Sequence, residues 1–514
     1  MKTPMLPCTL RIMVLSFLLP CAALIADVIP VSLFNDGMVL QHGKSIPVWG
    51  TANNGEKIQV RFAEHSATTV ADDKGQWRAW LPALAPSSEG RRLVISGNNT
   101  VTIKDVLVGE VWLASGQSNM EWTVARAYDA RFEAIAARHP LIRQFLVSKK
   151  VSEQPQSRVI GKWTKVTPES VGQFSAVAYF FALDLHRVLD GIPVGILHSS
   201  WGGSRVEAWM DAATIANGDG PEFAGIHTRW QETLARWPAA KASVDAAIKR
   251  WEEERSAAQT QGKTFSKPKP QYGRGPGHMD TPCGLYNAMI APLVPYALRG
   301  AIWYQGESNA QRAHEYRAFF SAMIEGWRRE FGQGDFPFYW VQLANYRANG
   351  PDETSYAFLR EAQTQTLALP NTGQAVTIDI GNVTDIHPRN KRNVGRRLAL
   401  VALATTYGKT SLTYSGPVFL SAKREGDSSM RVLFDTGGSP LTSPLALQPE
   451  GFEIAGADKV FHPADTRIDG ESVIISSPGV SAPVAVRYAW RNAPKAGLFN
   501  QDGLPATPFR TDDW

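Results

Sequence analysis

The run Val106-Leu-Val-Gly-Glu-Val-Trp-Leu-Ala114 has no polar face. A strand apolar on both sides must be covered on both sides, which is the condition of an inner strand in a parallel sheet flanked by helices. Four later runs, 192–197, 300–304, 338–343 and 375–379, share this character. Segments of helical period fall between them, notably 175–189 and 315–330, and another follows at 391–406. Strand, helix, strand in alternation predicts an α/β unit with a doubly wound parallel sheet of five strands.

That unit does not account for all 514 residues, and about three units is the expectation for this length. Residues 27–104 carry short alternating runs such as Lys57-Ile-Gln-Val-Arg-Phe62 and Arg92-Leu-Val-Ile-Ser96, separated by turns at Asn53-Asn-Gly55, Asp72-Asp-Lys-Gly75 and Gly97-Asn-Asn99. This is the rhythm of a β-sandwich-like module without helices. The α/β unit spans 105–410, and short β runs such as Met430–Phe434 and Val484–Tyr488 make 411–514 a second β module. Within the α/β unit, 211–282 stands apart as an insertion. Trp230, Leu234, Trp237, Val244, Ile248 and Trp251 fall at helical spacing and predict a helical hairpin, and the Pro/Gly/Lys-rich tail 261–277 predicts a mobile loop.

Residues 1–26 read as a secretory signal peptide: Lys2 and Arg11 precede the apolar run Ile12–Leu19, and Ala26 offers a cleavage site. The run is too short for a comfortable membrane span, so an exported, periplasmic or secreted chain with no membrane association after cleavage is expected. Lys2 and Arg11 are the only charges in that segment, so its removal lowers the formal charge from +5 to +3. So mild a balance gives no reason to expect nucleic acid. Of the three cysteines, Cys8 and Cys21 fall in the leader and only Cys283 remains, which permits no internal disulfide and reads as a buried thiol.

Four segments following strands carry residues suited to acyl transfer. The first is Ser115-Gly-Gln-Ser118-Asn-Met-Glu-Trp122, which puts Ser118 on a glycine-bearing turn at the carboxyl end of the first strand, the edge where open α/β sheets build sites. The second is Trp201-Gly-Gly-Ser-Arg-Val-Glu-Ala-Trp209, where Gly202 or Gly203 can turn a backbone N–H toward an oxyanion. The third, Trp303-Tyr-Gln305-Gly-Glu-Ser-Asn309, offers side-chain amides at Gln305 and Asn309. The fourth, Asp385-Ile-His387-Pro388, sets a carboxylate two residues from an imidazole, close enough to orient Nδ1–H and leave Nε2 for Ser118. Taken singly, each motif has an ordinary turn or cap explanation. All four at carboxyl ends of separate strands predict one site. Nothing in the pattern calls for a metal or other cofactor.

These same blocks, Gly116–Met120, Gly202–Trp209, Trp303–Asn309 and Asp385–Pro388, closely resemble those of sialate O-acetylesterase-like proteins, members of the SGNH hydrolase superfamily. The resemblance extends to Met38-Val-Leu-Gln41 and Pro47-Val-Trp-Gly-Thr51 at one end, and to Arg487–Trp490 and Gly503–Arg510 at the other. It implies an SGNH-type, flavodoxin-like sheet and a serine esterase that removes O-acetyl groups from sugars. By the same resemblance Ser118 is the nucleophile and Asp385 and His387 the acid/base pair. The oxyanion donors it implies are the N–H groups of Ser118 and Gly203, with Gly202 the near alternative, and a side-chain amide. The third block departs from the superfamily pattern Gly-x-Asn-Asp, with serine where that asparagine would stand; the amide role passes to Gln305, with Asn309 second. Trp122, Trp209 and Glu307, beside these loops, are assigned to substrate binding. The expected partner is an acetylated carbohydrate, either O-acetylated sialic acid or hemicellulose fragments such as xylan and xyloglucan; the oligomeric state is left open. Two other readings, a non-catalytic carbohydrate-binding protein and a lipase or arylesterase of the same superfamily, are separated by Ser118-dependent acetate release and by comparing acetate with octanoate esters.

Overall fold

The computed structural model describes residues 27–347, 353–444 and 448–514. The leader expected at 1–26 lies outside the described residues. Seven strands form the main run of an eleven-stranded sheet: β1 (Thr100–Gly116), β2 (His139–Leu146), β3 (Trp163–Val166), β4 (Val194–Ser200), β5 (Gly300–Tyr304), β6 (Phe338–Val341) and β7 (Thr372–Ala375). Their spatial order is β3-β2-β4-β1-β5-β6-β7, with only β3 antiparallel to its neighbour. The predicted five-stranded sheet is therefore too small: six strands are parallel, and β2 was not foreseen. Polar residues hide β2 in the sequence, because Arg143 and Gln144 lie buried within it. Arg143 satisfies its guanidinium on the Gly37 and Asp105 carbonyls and the Asp105 carboxylate, so a charged residue occupies a core strand without breaking it.

Five longer helices accompany the sheet: α1 (Ala176–Val188), α2 (Pro221–Thr260), α3 (Ala313–Phe331), α4 (Ser355–Gln365) and α5 (Lys391–Thr405). Ser175 caps α1 by accepting the Ala178 N–H, and Asn390 caps α5 by accepting the Asn393 N–H. Trp112 of β1 meets Phe181 of α1, whereas Trp303 of β5 stacks on Phe320 of α3. Gly300 pairs with Trp112 in the ladder, so Trp303, three residues on, points to the other face, and helices cover both sides of the sheet as a doubly wound unit requires.

The chain before β1 folds into short antiparallel strands, among them Ile46–Thr51, Lys57–Phe62, Gln76–Leu81 and Ser87–Ser96, with no helix among the described residues of 27–104. β1 runs through the expected junction at 104/105: its first half pairs with Ser87–Ser96 and its second half with β4 and β5. At the other end, two four-stranded antiparallel sheets enclose a separate core with Val432, Phe452, Ile475 and Val486.

The last strand ends at Ala375, and Val376 and Ile378, read as its continuation, bury their side chains in the C-terminal core instead. The helical hairpin of the insertion is one 40-residue helix, α2, about 60 Å long, which passes through Pro238. The alanine- and charge-rich sequence on both sides propagates helix well enough to tolerate the hydrogen bond that proline removes. Its apolar side is covered by the tail read as a mobile loop. Trp251 donates Nε1–H to the Lys267 carbonyl (2.8 Å) and meets Phe265 edge-on, and Trp237 packs near Tyr272. No helix among the described residues is long and apolar enough to cross a membrane.

Candidate active site

β1 occupies the middle of the parallel sheet, between β4 and β5, where connections leave in opposite directions and open a crevice. It ends at Gly116, whose φ is +133°; a Cβ there would stand 2.2 Å from the Tyr304 carbonyl oxygen of β5, so only glycine lets the chain turn at this point. Gln117 then donates its N–H to the same carbonyl (2.9 Å), and its side-chain Oε1 accepts the Gly306 N–H. Ser118 opens the short helix Ser118–Glu121, where no intrahelical acceptor exists for its N–H. It is half-buried, while Gln117, Asn119 and Met120 around it are buried.

The β4 loop closes against this turn. Trp201 donates its N–H to the Gly116 carbonyl (3.1 Å), and a Cβ on Gly202 would lie 3.1 Å from Ser118 Cβ. Gly202, rather than Gly203, is thus the glycine packed on the serine, and its N–H is given to Glu121 Oε2 (2.7 Å). Gly203 adopts φ +82° and has Met279 of the insertion against it.

His387 reaches the same place from the loop before α5. Ser118, Glu121, Trp122, Arg126, Lys149, Trp201, Gly202 and His387 line one open cleft. The imidazole stacks on Trp122, centroids 4.9 Å apart and planes 18° apart, and the Arg126 guanidinium sits 3.7 Å from the Trp122 ring centre. Asp385 accepts the His387 backbone N–H (2.9 Å), and its Oδ1 stands 3.9 Å from Nδ1, an ion-pair separation longer than a hydrogen bond. Burial holds the His387 pKa below its ordinary value, helped by the positive charges of Lys391 and Arg126 and opposed by Asp385 and Glu121. A second histidine–serine pair, His198 Nε2 with Ser200 Oγ at 2.7 Å, lies wholly buried on β4. Its imidazole is pushed down to about 4 by burial, as suits a structural neutral ring.

The two side-chain amides expected at the oxyanion point elsewhere. Gln305 is fully buried; its Nε2 donates to the Ser204 carbonyl (3.2 Å) and Asn309 Oδ1 (2.7 Å), and its Oε1 accepts from Tyr316 (2.8 Å). Asn309 donates Nδ2 to Glu207 (2.8 Å) and accepts the Val206 N–H. Both amides spend their hydrogens inside a buried network that ties the β4 and β5 loops together. Trp209, assigned to substrate, is likewise core: it is fully buried, donates Nε1–H to Ser204 Oγ (2.9 Å) and meets Trp303 edge-on. Trp122 does line the cleft, but with only 9 % of its surface exposed it serves the imidazole more than it faces solvent.

Glu307 lies below the cleft. Its Oε1 accepts from Asn119 Nδ2 (2.6 Å), its Oε2 is buried without a partner, and burial raises its pKa. Lys391, fully buried at the start of α5, donates Nζ to Asn119 Oδ1, and burial pushes its pKa down to about 7. Asn119 also donates to the Ile386 carbonyl (3.0 Å), so one buried asparagine joins the serine turn, the β5 loop and the histidine loop. Sequence reasoning passed over Asn119, Glu121, Arg126, Lys149 and Lys391. Glu121 was legible as the residue one turn after Ser118, but a lysine opening a helix reads as solvated until its surroundings are seen.

Residues 276–404, which include the β5 and histidine loops, match the family model described as carbohydrate esterase, sialic acid-specific acetylesterase. The sialate O-acetylesterase of Rattus norvegicus is 31 % identical over 425 residues, 75 % of each chain. That of Mus musculus is 29 % identical over 531 residues, 93 % of each. Among solved structures, a carbohydrate acetylesterase from Xanthomonas citri aligns with a TM-score of 0.81 at 44 % identity, over 95 % of this chain and 100 % of that one. On these similarities the chain belongs to the sialic acid-specific acetylesterase family of carbohydrate esterases and is a carboxylic ester hydrolase.

Proposed function

We propose that this protein removes O-acetyl groups from sugar hydroxyls, with Ser118 as nucleophile, His387 as general base and acid, and Asp385 as the residue that orients His387. The observation that carries this reading is the meeting of Ser118 and His387 in one cleft at the carboxyl end of β1. The imidazole takes the Ser118 proton as Oγ attacks the acetyl carbonyl, and returns it to the leaving sugar oxygen; water then repeats the cycle on the acetyl-enzyme. For Asp385 to orient the imidazole through Nδ1–H, the 3.9 Å separation must shorten to hydrogen-bond length in the reacting complex. The N–H groups of Ser118 and Gly202 receive the oxyanion, whose oxygen replaces Glu121 Oε2 on the latter. The catalytic unit is 105–410, held between β modules at 27–104 and 411–514, and the chain acts outside the cytoplasm by virtue of its leader.

For the substrate we favour acetylated hemicellulose fragments over O-acetylated sialic acid. The 44 % identity to a carbohydrate acetylesterase from Xanthomonas citri, against 31 % to the rat sialate O-acetylesterase, weighs against sialic acid as the substrate, and the expected export without a disulfide fits an enzyme working on oligosaccharide fragments. The test is acetate release by wild type and Ser118→Ala from O-acetylated sialic acid and from acetylated xylan and xyloglucan oligosaccharides, with acetate and octanoate nitrophenyl esters as controls. Serine-dependent release, best on a hemicellulose oligosaccharide, is the expected result. A folded wild type that releases acetate from none of them overturns the reading.

A further inference from the structure

The chain leaving the serine turn carries exposed aromatic residues shortly after Arg126, which lines the cleft. After Arg126 come Tyr128, 55 % exposed, and Phe132, 71 % exposed on the short helix Ala130–Ala136. Large aromatic side chains so exposed lose the burial that normally offsets ordering them, and such surfaces mark contact sites. The segment is not loose. Tyr128 donates its N–H to the Arg389 carbonyl (3.0 Å), while Arg389 Nε and Nη2 donate to the Arg126 and Ala127 carbonyls (3.1 and 3.2 Å). Arg392 of α5 adds an ion pair to Glu133. The rim is thereby fastened to the loop that carries His387, two residues before Arg389.

Flat groups follow one another outward from the imidazole. His387 stacks on Trp122, Arg126 lies 3.7 Å from that ring centre, and Arg389 lies 5.4 Å from the Tyr128 ring centre. Among the described residues, no carboxylate lies within ion-pair distance of Arg126 or Arg389, so their remaining N–H groups are open to a ligand. Exposed ring faces beside guanidinium donors match a pyranose, which offers an apolar C–H face and a hydroxyl edge.

We propose that Tyr128 and Phe132, with Arg126 and Arg389, form a subsite for the saccharide unit attached to the acetylated one, so that the enzyme favours acetylated oligosaccharides over acetylated monosaccharides. This inference rests on the O-acetylesterase reading above. The test compares kcat/KM for acetate release from acetylated xylose and from acetylated xylo-oligosaccharides of two to four units, with 4-nitrophenyl acetate as reference, in wild type, Tyr128→Ala, Tyr128→Phe and Tyr128→Ala/Phe132→Ala. The wild type is expected to gain roughly tenfold in kcat/KM from one unit to several, the worth of about one stacked aromatic contact. The double variant is expected to lose that gain through KM while hydrolysing 4-nitrophenyl acetate as the wild type does, and Tyr128→Phe, which keeps the ring, is expected to retain it. No dependence on chain length in the wild type, or full dependence in the double variant, overturns the subsite. Failure of the esterase reading itself shows differently, as absence of Ser118-dependent acetate release from every substrate, the nitrophenyl ester included.

Discussion

At the scale of single residues, the site works by what surrounds His387. Burial, Lys391 and Arg126 all disfavour the imidazolium, and Asp385 and Glu121 only partly oppose them. A base that stays neutral further into acid holds its activity there, so the acid limb of kcat/KM should fall below the ordinary histidine range. Arg126→Gln removes one positive charge near the ring. It should move that limb to higher pH, as read from a pH–rate profile on a small acetate ester; an unmoved limb would show that Arg126 does not reach the imidazole electrostatically. Gln305 makes the contrasting case. Its amide is locked to Ser204, Asn309 and Tyr316, so Gln305→Ala should lower the unfolding midpoint while leaving kcat within about threefold; loss of a true oxyanion donor costs about 10²–10³-fold.

Among the secondary-structure elements, the close approach of α1 and α5 holds up the histidine loop. It depends on Gly395, where a Cβ would meet Phe180 Cβ at 2.6 Å and two backbone atoms, Phe181 N and the Val177 carbonyl oxygen, at 2.8 Å. Backbone cannot yield as a side-chain tip can, so the helices must separate to admit any larger residue. Gly395→Val should therefore cost about 1–3 kcal/mol in denaturant unfolding. It should also lower kcat, because α5 begins only four residues after His387.

At the scale of the whole molecule, the N-terminal module shares one hydrophobic core with the central sheet, whereas the C-terminal module has its own core and is tied to the α/β unit in part by buried polar contacts. Arg360 of α4, fully buried, donates to the Leu343 and Ala344 carbonyls beyond β6 and to the Arg491 and Asn492 carbonyls of the C-terminal module. Burial pushes its pKa down to about 9, yet four carbonyls accept hydrogen bonds from its N–H groups. Arg360→Leu leaves those acceptors dry, and the expected loss is about 3 kcal/mol or more, visible as a lower thermal midpoint. The same module takes Val376 and Ile378 into its core, which anchors the start of the segment leading to Asp385 and His387. Loosening the module should therefore cost activity before the central sheet unfolds, and this can be followed by comparing the urea dependence of hydrolysis with that of far-ultraviolet circular dichroism.

Some of this is written in local sequence. β1, β4 and β5 are apolar runs bounded by glycine, so their existence, and with it the turn that exposes Ser118, follows from side chains that must leave water. The capped helices α1 and α5 are legible for the same reason, as is the spacing that makes Asp385 and His387 neighbours. What local sequence does not carry is which partner a polar group meets. Arg143 sits inside a core strand because the Gly37 and Asp105 carbonyls, far away in the chain, accept hydrogen bonds from its guanidinium. Gln305 and Asn309 bear the right amide for an oxyanion, but Ser204, Glu207 and Tyr316 take up their hydrogen bonds first. Lys391 can be buried because Asn119 Oδ1 accepts a hydrogen bond from its Nζ, with the Glu307 carboxylate near enough to favour its charge. Hydrophobic period is a property of neighbours in sequence, whereas hydrogen-bond satisfaction is a property of neighbours in space, and the chemistry of this cleft is decided by the second.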